Sequence, residues 1–155
     1  MADADGPLMT AERLQQISWL DLLRGVAEGR YPGPPIAKGL GYRMHQVDPG
    51  RVVFRGTPGP AHTNPMGTVH GGWYGTLLDS AMACAIATKL ADGAQYTTLE
   101  YKVNIVRAIP LGLEIDCIGF ADHVGRKTGV GHGEIRGVED GKLYATGSTT
   151  CIVIN

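Results

Sequence analysis

The chain reads as one amphipathic stretch, one wholly apolar stretch and a series of short alternating ones. Over residues 10–28, Leu14, Ile17, Leu20 and Leu23 recur at helical spacing, with Trp19 beside them. Thr10 is placed to cap such a helix, and Glu12 falls in the first turn, where the helix dipole favours an acid. Gly29 and the run Tyr31-Pro32-Gly33-Pro34-Pro35 end it. That run is expected to tether the helix to the main body. Residues 40–47 and 51–56 read as strands around the turn Asp48-Pro49-Gly50. A loop rich in proline follows, to residue 67. From Gly71 to about Leu90 the chain is apolar nearly all round (Leu77, Leu78, Ala81, Met82, Ala85, Ile86), which predicts a helix buried on most sides.

Only strand signals come after it. Residues 98–107 alternate, with Leu99, Tyr101, Val103 and Ile105 on one face and Glu100, Lys102 and Asn104 on the other. Residues 113–124, 129–138 and 142–154 have similar lengths, separated by loops at 110–112, 125–127 and 139–141. Strands joined by short loops pair antiparallel. The prediction is an α+β domain in which a curved antiparallel sheet wraps one helix. Residues 1–35 form the N-terminal helix with its tether, and residues 36–155 form the domain.

Composition narrows the function. A chain of 155 residues, 43% hydrophobic and 19% charged, is one globular domain. The net charge of −1, with no Lys/Arg cluster, gives no footprint for nucleic acid or an anionic membrane surface. No apolar run approaches the roughly 20 residues of a membrane span. Residues 1–10 lack the apolar core of a signal peptide, so a cytoplasmic location is expected. Cys84, Cys117 and Cys151 are too widely spaced for a disulfide framework or a zinc site, and read as buried hydrophobes. Glycine is over-represented, at 23 residues, and scattered, as in a sheet with many turns and close backbone approaches.

The chemistry concentrates between Asn64 and Asp79. Gly71 and Gly72 sit at the mouth of the apolar helix, where bare N–H groups and the helix dipole favour a developing oxyanion. Asp79 lies deep in the same apolar run, and an ionised carboxylate there is costly unless paired or functional. The competing reading is a carboxylate bonded to nearby backbone or facing solvent at the helix flank. Gly71 and Asp79 are eight residues apart, about 12 Å along a helix. A single carbonyl cannot reach both in one chain. If both serve one reaction, they come from two subunits related by a two-fold axis.

The motif N-P-M-G-T-V-H-G-G followed by Asp79, then T-L-E-Y-K-V-N-I-V-R, G-R-K and E-D-G-K-L-Y-A-T-G, resembles the hotdog-fold thioesterases of the PaaI-like and 4-hydroxybenzoyl-CoA thioesterase group. The resemblance covers residues 40–155 and leaves the N-terminal helix outside. It implies hydrolysis of an acyl-CoA thioester by a homodimer with shared sites, and favours a homotetramer. Asp79 matches the catalytic carboxylate, acting as nucleophile or as general base. Gly71 matches the glycine whose N–H polarises the carbonyl, and Asn64 the residue that orients carbonyl or water. Thr98 matches a hydroxyl that positions water, and His70 the motif histidine of variable role. Ala83 stands where the members that use Glu carry Thr, so the chain follows the Asp variant. Arg126 and Lys127 match a hairpin that often meets coenzyme A phosphates, with Arg107 a weaker candidate. Gly72 and Tyr74 are the remaining candidates for substrate contact.

Each residue also has a plain structural reading: His70 bonding backbone at the helix start, Asn64 shaping a turn, Thr98 as an ordinary β-former, Arg126 and Lys127 as solvated turn charges, and Trp73 as packing. His45, His62, His123 and His132 show no spacing that suggests a metal. No cofactor is expected beyond the coenzyme A of the substrate. Two other functions compete: an acyl-CoA hydratase or dehydratase, whose His–acid pair is missing here, and a non-catalytic acyl-CoA-binding module on the same fold.

Overall fold

The computed structural model describes residues 10–154. Residues 1–9, on which the signal-peptide expectation rests, and the side chain of Leu14 lie outside the described part.

The N-terminal stretch is two helices where one was expected: α1 (Ala11–Leu14) and α2 (Trp19–Ala27). Ser18 makes the break. Its Oγ accepts from the Asp21 N–H at 3.1 Å and donates to the Asp21 carboxylate at 2.8 Å, which starts a new helix. Leu22 and Leu23 of α2 are buried against the body, and the Arg24 guanidinium reaches the Val47 carbonyl at 3.4 Å. The proline run ends in a further helix, α3 (Pro35–Leu40). Proline at the first helical position surrenders only an N–H that has no helical partner, and Gly41, at φ 68°, closes the other end.

Six strands form one antiparallel sheet in the order β1-β2-β4-β5-β6-β3. They are β1 (Tyr42–Asp48), β2 (Arg51–Gly56), β3 (Gln95–Ile105), β4 (Ile115–Val124), β5 (Thr128–Gly137) and β6 (Leu143–Ile154). Helix α4 (Gly71–Ala87) runs through the concave side, as the hotdog arrangement requires. Eleven of its 17 residues are buried. α2 and α3 pack on β1, at one end of the sheet. At the other end β3 pairs only with β6, so its outer edge has no strand among the described residues.

The glycines are what let α4 lie so deep. The inward positions of β5 are Gly129, Gly131, Gly133 and Ile135, alternating with outward ones. At Gly119 of β4 a Cβ would overlap the Ala81 carbonyl of α4, so helix backbone rests almost directly on strand backbone. His70 caps the helix: its Nδ1 accepts from the Gly72 N–H at 2.8 Å.

Two stability measurements at fixed protein concentration check this packing. Gly119→Ala is expected to lower the urea-unfolding free energy by roughly 3 kcal/mol or more, the upper end of overpacking costs. A neutral result would contradict the close approach. His70→Ala is expected to cost about 0.5–2 kcal/mol as a lost cap, with His70→Asn recovering most of it. Equal losses in the two variants would mean that His70 stabilises by another route.

Candidate active site

α4 is apolar on nearly all sides, but Thr76, Asp79, Ser80 and Cys84 are only half-buried. Positions 76, 80 and 84 lie four apart and so share one face, with 79 beside them. Past Thr76, this polar stripe borders a cavity of about 480 Å³. α4 contributes Asp79, Ser80, Ala83 and Cys84 to it, and β3 contributes Tyr96, Thr97 and Thr98. Met44 and Phe54, register partners on β1 and β2, form another wall. Trp19, Leu23 and Val26 of α2, with Pro34 and Ile36, complete it.

Asp79 is the only carboxylate among these lining residues, and none of them is Lys, Arg or His. Its Oδ1 accepts a 2.9 Å hydrogen bond from the Thr98 hydroxyl. Oδ2 has no partner among the described residues, which leaves it open to a water or a substrate. A β-bulge makes the Thr98 contact possible. Thr98 pairs with Cys151 and Glu100 with Thr150, so Leu99 is an extra residue and is 58% exposed. Without that extra residue Thr98 and Tyr101 would face opposite sides of the sheet. With it, Thr98 reaches Asp79 while Tyr101 lies over Gly75 of the same helix. Ser80 is held by Tyr42, hydroxyl to hydroxyl, at 3.1 Å. Burial pushes the Cys84 thiol up to about 12 and the Tyr96 phenol well above its ordinary range, so both are neutral at physiological pH. A neutral thiol is a poor nucleophile, so Cys84 is no rival to the ionisable carboxylate on this wall.

The other predicted residues lie at the far end of α4. The Gly71 N–H makes no hydrogen bond among the described residues, and Gly71 is exposed. The Gly72 N–H is taken by His70, whose Nδ1 is therefore unprotonated. The Asn64 side chain is folded into its own loop. Its Oδ1 accepts from the N–H groups of Met66 (3.0 Å) and Thr68 (3.2 Å), and its amide donates to the Thr68 hydroxyl at 2.8 Å. One chain thus brings Asp79 and Thr98 together, and sets Gly71, His70 and Asn64 apart, about 12 Å along the helix.

One expectation changes. Tyr74 is 1% exposed, its hydroxyl accepting from the Ile109 N–H at 2.8 Å and donating to the Arg107 carbonyl at 3.3 Å. It anchors the β3–β4 loop to α4 and does not line the cavity. Arg126 and Lys127 are exposed on the β4–β5 hairpin, away from Asp79. Arg126 shares a separate depression of about 400 Å³ with Lys89, at the C-terminal end of α4. Trp73 packs, 3% exposed, with its indole N–H on the Leu40 carbonyl at 2.9 Å. The sequence reading missed Trp19, Leu23, Met44, Phe54, Tyr96, Ser80 and Cys84 as lining residues. The spacing of Thr76, Ser80 and Cys84 marks the stripe that reveals the last two. The others come from elements whose docking no periodicity specifies.

The family model of the thioesterase superfamily matches residues 66–144, just over half of the chain. Among curated proteins, none matches. Solved structures do. The chain is similar to a putative thioesterase, a phenylacetic acid degradation-related protein from Ralstonia eutropha JMP134 (30% identity, TM-score 0.74, covering 84% of this chain and 98% of that one). It is similar to a thioesterase family protein from Silicibacter pomeroyi (25%, 0.75, 85% and 98%). A variant of the phenylacetic acid degradation protein PaaI from Thermus thermophilus also matches (26%, 0.70, 77% and 98%). The matched segment contains the mouth of α4, Asp79 and Thr98. The chain belongs to the thioesterase superfamily, as a hotdog-fold member of its PaaI-like group.

Proposed function

We propose that the protein hydrolyses an acyl-CoA thioester, using the Asp79 carboxylate from one subunit and the Gly71 N–H from another. The observation that carries this reading is a lone carboxylate, held by Thr98, at the polar edge of an otherwise apolar cavity of acyl size. A thioester carbonyl is electrophilic and its thiolate leaves readily, so a carboxylate suffices without a histidine. In one route Asp79 takes a proton from water as the water oxygen bonds to the acyl carbon, the C–S bond breaks and the proton passes to the departing sulfur. In the other, a carboxylate oxygen bonds to the acyl carbon, the C–S bond breaks to release the thiolate, and water then cleaves the mixed anhydride to the free acid and the restored carboxylate. Thr98 fixes one carboxylate oxygen in both. No histidine of this chain lines the cavity, which argues against a hydratase, whose protons must be moved at two carbons.

The two-subunit reading rests on the bare edge of β3. Leu99, Tyr101, Ile105 and Val106 are 46–58% exposed there. A long apolar edge strand is a template for pairing. Pairing two copies edge to edge sets their α4 helices side by side and antiparallel, which brings Gly71 of one to Asp79 of the other. His70 and Asn64 would shape that donor end, with Asn64 rotating out of its loop if it binds substrate. Val130 and Ile152 leave an apolar strip on the outer sheet face, suited to packing two dimers into a tetramer. Arg126, which shares a depression with Lys89, and its exposed neighbour Lys127 are the cations that would receive coenzyme A phosphates. No helix among the described residues is long and apolar enough to cross a membrane. Three free thiols suit a reducing cytoplasm.

Thiol release from a panel of aliphatic and aromatic acyl-CoAs tests this. Wild type is expected to turn over at least one, and Asp79→Ala to lose about 10²–10⁴ of kcat with its oligomer intact. No turnover of any acyl-CoA would defeat the reading. Gly71→Pro isolates the donor. His70 already has the ψ (138°) that a residue before proline prefers, and proline is tolerated at a first helical position. The variant is expected to fold normally and to lose roughly 10²–10³ in kcat. Full activity in it would remove Gly71 from the mechanism.

A further inference from the structure

We propose that helix α2 is the far wall of the acyl pocket, and that Trp19 sets how long an acyl group the enzyme accepts. This rests on the thioesterase reading and adds to it a specificity element outside the segment that the family model matches, residues 66–144.

Three observations point there. The cavity that holds Asp79 at its polar edge is lined by Trp19, Leu23 and Val26, three residues from successive turns of one face of α2. Trp19 is held from two directions: its indole N–H donates to the Ala94 carbonyl at 2.8 Å, and its ring meets Tyr96 edge to face, with centroids 5.0 Å apart. Tyr96 itself lines the cavity, two residues from Thr98 on β3. Finally, α2 is fastened to the body and cannot be read as a loose appendage. Leu22 is wholly buried, Arg24 reaches the Val47 carbonyl, and Gly25 lets the Tyr31 ring lie against the helix.

The chemistry of the wall states what it accepts. No Lys, Arg or His lines the cavity, and the one carboxylate would repel an acyl group ending in an acid. A volume of about 480 Å³ lies in the lower part of the range for small-molecule pockets. The fitting substrate is a neutral, apolar acyl group of moderate size. A rigid indole across its end penalises a longer chain, since a rigid wall resists overpacking.

The test is a specificity profile: kcat/KM for straight-chain acyl-CoAs from butanoyl to tetradecanoyl. Wild type, Trp19→Ala, Trp19→Phe and Val26→Phe are compared. Trp19→Ala opens the wall and is expected to move the optimum to longer chains, raising the long-to-short ratio by about 10-fold or more. Trp19→Phe keeps a ring but loses the indole N–H and some bulk, and should move the optimum in the same direction by less. Val26→Phe narrows the pocket and should move the optimum to shorter chains. A general loosening of the fold would lower all substrates together and would not give opposite shifts in the two variants. The same profile in all four proteins, or shifts in one direction only, overturns the proposal. Dissociation constants for the same series, measured in an Asp79→Ala background, separate the two claims. Length-selective binding that responds to Trp19 without wild-type hydrolysis leaves the wall standing and defeats the thioesterase reading. Hydrolysis with a profile indifferent to α2 does the reverse.

Discussion

A helix that is apolar on nearly every side can be stable only if something wraps it, and most of this structure follows from that requirement. α4 has only one narrow polar flank to leave uncovered, so the sheet must curve around it and approach it closely. The approach depends on glycine: at Gly119 of β4 strand backbone meets helix backbone, and at Gly129, Gly131 and Gly133 of β5 the missing side chains leave room for Ile86, Met82 and Leu78 of α4. What the sheet does not cover becomes functionally visible. One flank of α4 carries Thr76, Asp79, Ser80 and Cys84, and the gap beside it is the cavity. The carboxylate is tolerated there because the flank is only partly buried and Thr98 supplies a hydrogen bond.

The same embedding splits the chemistry. A straight helix holds its N-terminal donors and Asp79 apart, so a single chain has a carboxylate facing a pocket at one place and a bare N–H at another. In the proposed mechanism the unpaired edge of β3 supplies the means of joining them across subunits, and dimerisation is then a condition of catalysis as well as a cover for apolar surface. On the same proposal the two ends of the substrate are divided among elements: the carbonyl between two α4 helices, the acyl tail against α2.

Much of the architecture was legible because period-2 and period-3.6 patterns differ so clearly here. β2 falls on the expected residues 51–56, and the buried helix starts at Gly71 as its glycines and apolar run suggest. The failures have local causes. Ser18 competes for the Asp21 N–H and divides one amphipathic pattern into two helices. Pro35 reads as a breaker yet begins α3, because its position, and not its identity, decides. The extra residue at Leu99 resets the alternation of β3, and from the pattern alone Leu99 belongs on the same face as Tyr101. At the site, Asp79 and Thr98 were legible through motif and order, and the structure places them in contact. The cavity was not, because it is made by α2, β1, β2 and β3 meeting α4, and tertiary docking leaves no mark on a single element's periodicity. Tyr74 looked like a pocket residue from its place in the motif, and burial gives it to the core.

The central claim is that each active site takes Gly71 from one chain and Asp79 from its partner. Mixing two inactive proteins tests it most directly. Differently tagged Gly71→Pro and Asp79→Ala chains are co-expressed, and the doubly tagged dimers are isolated. Each such dimer has one site with both defects and one site with neither. The account predicts that activity returns, at about half of the wild-type rate per mixed dimer. Mixed dimers as inactive as their parents would mean that both groups act within one chain.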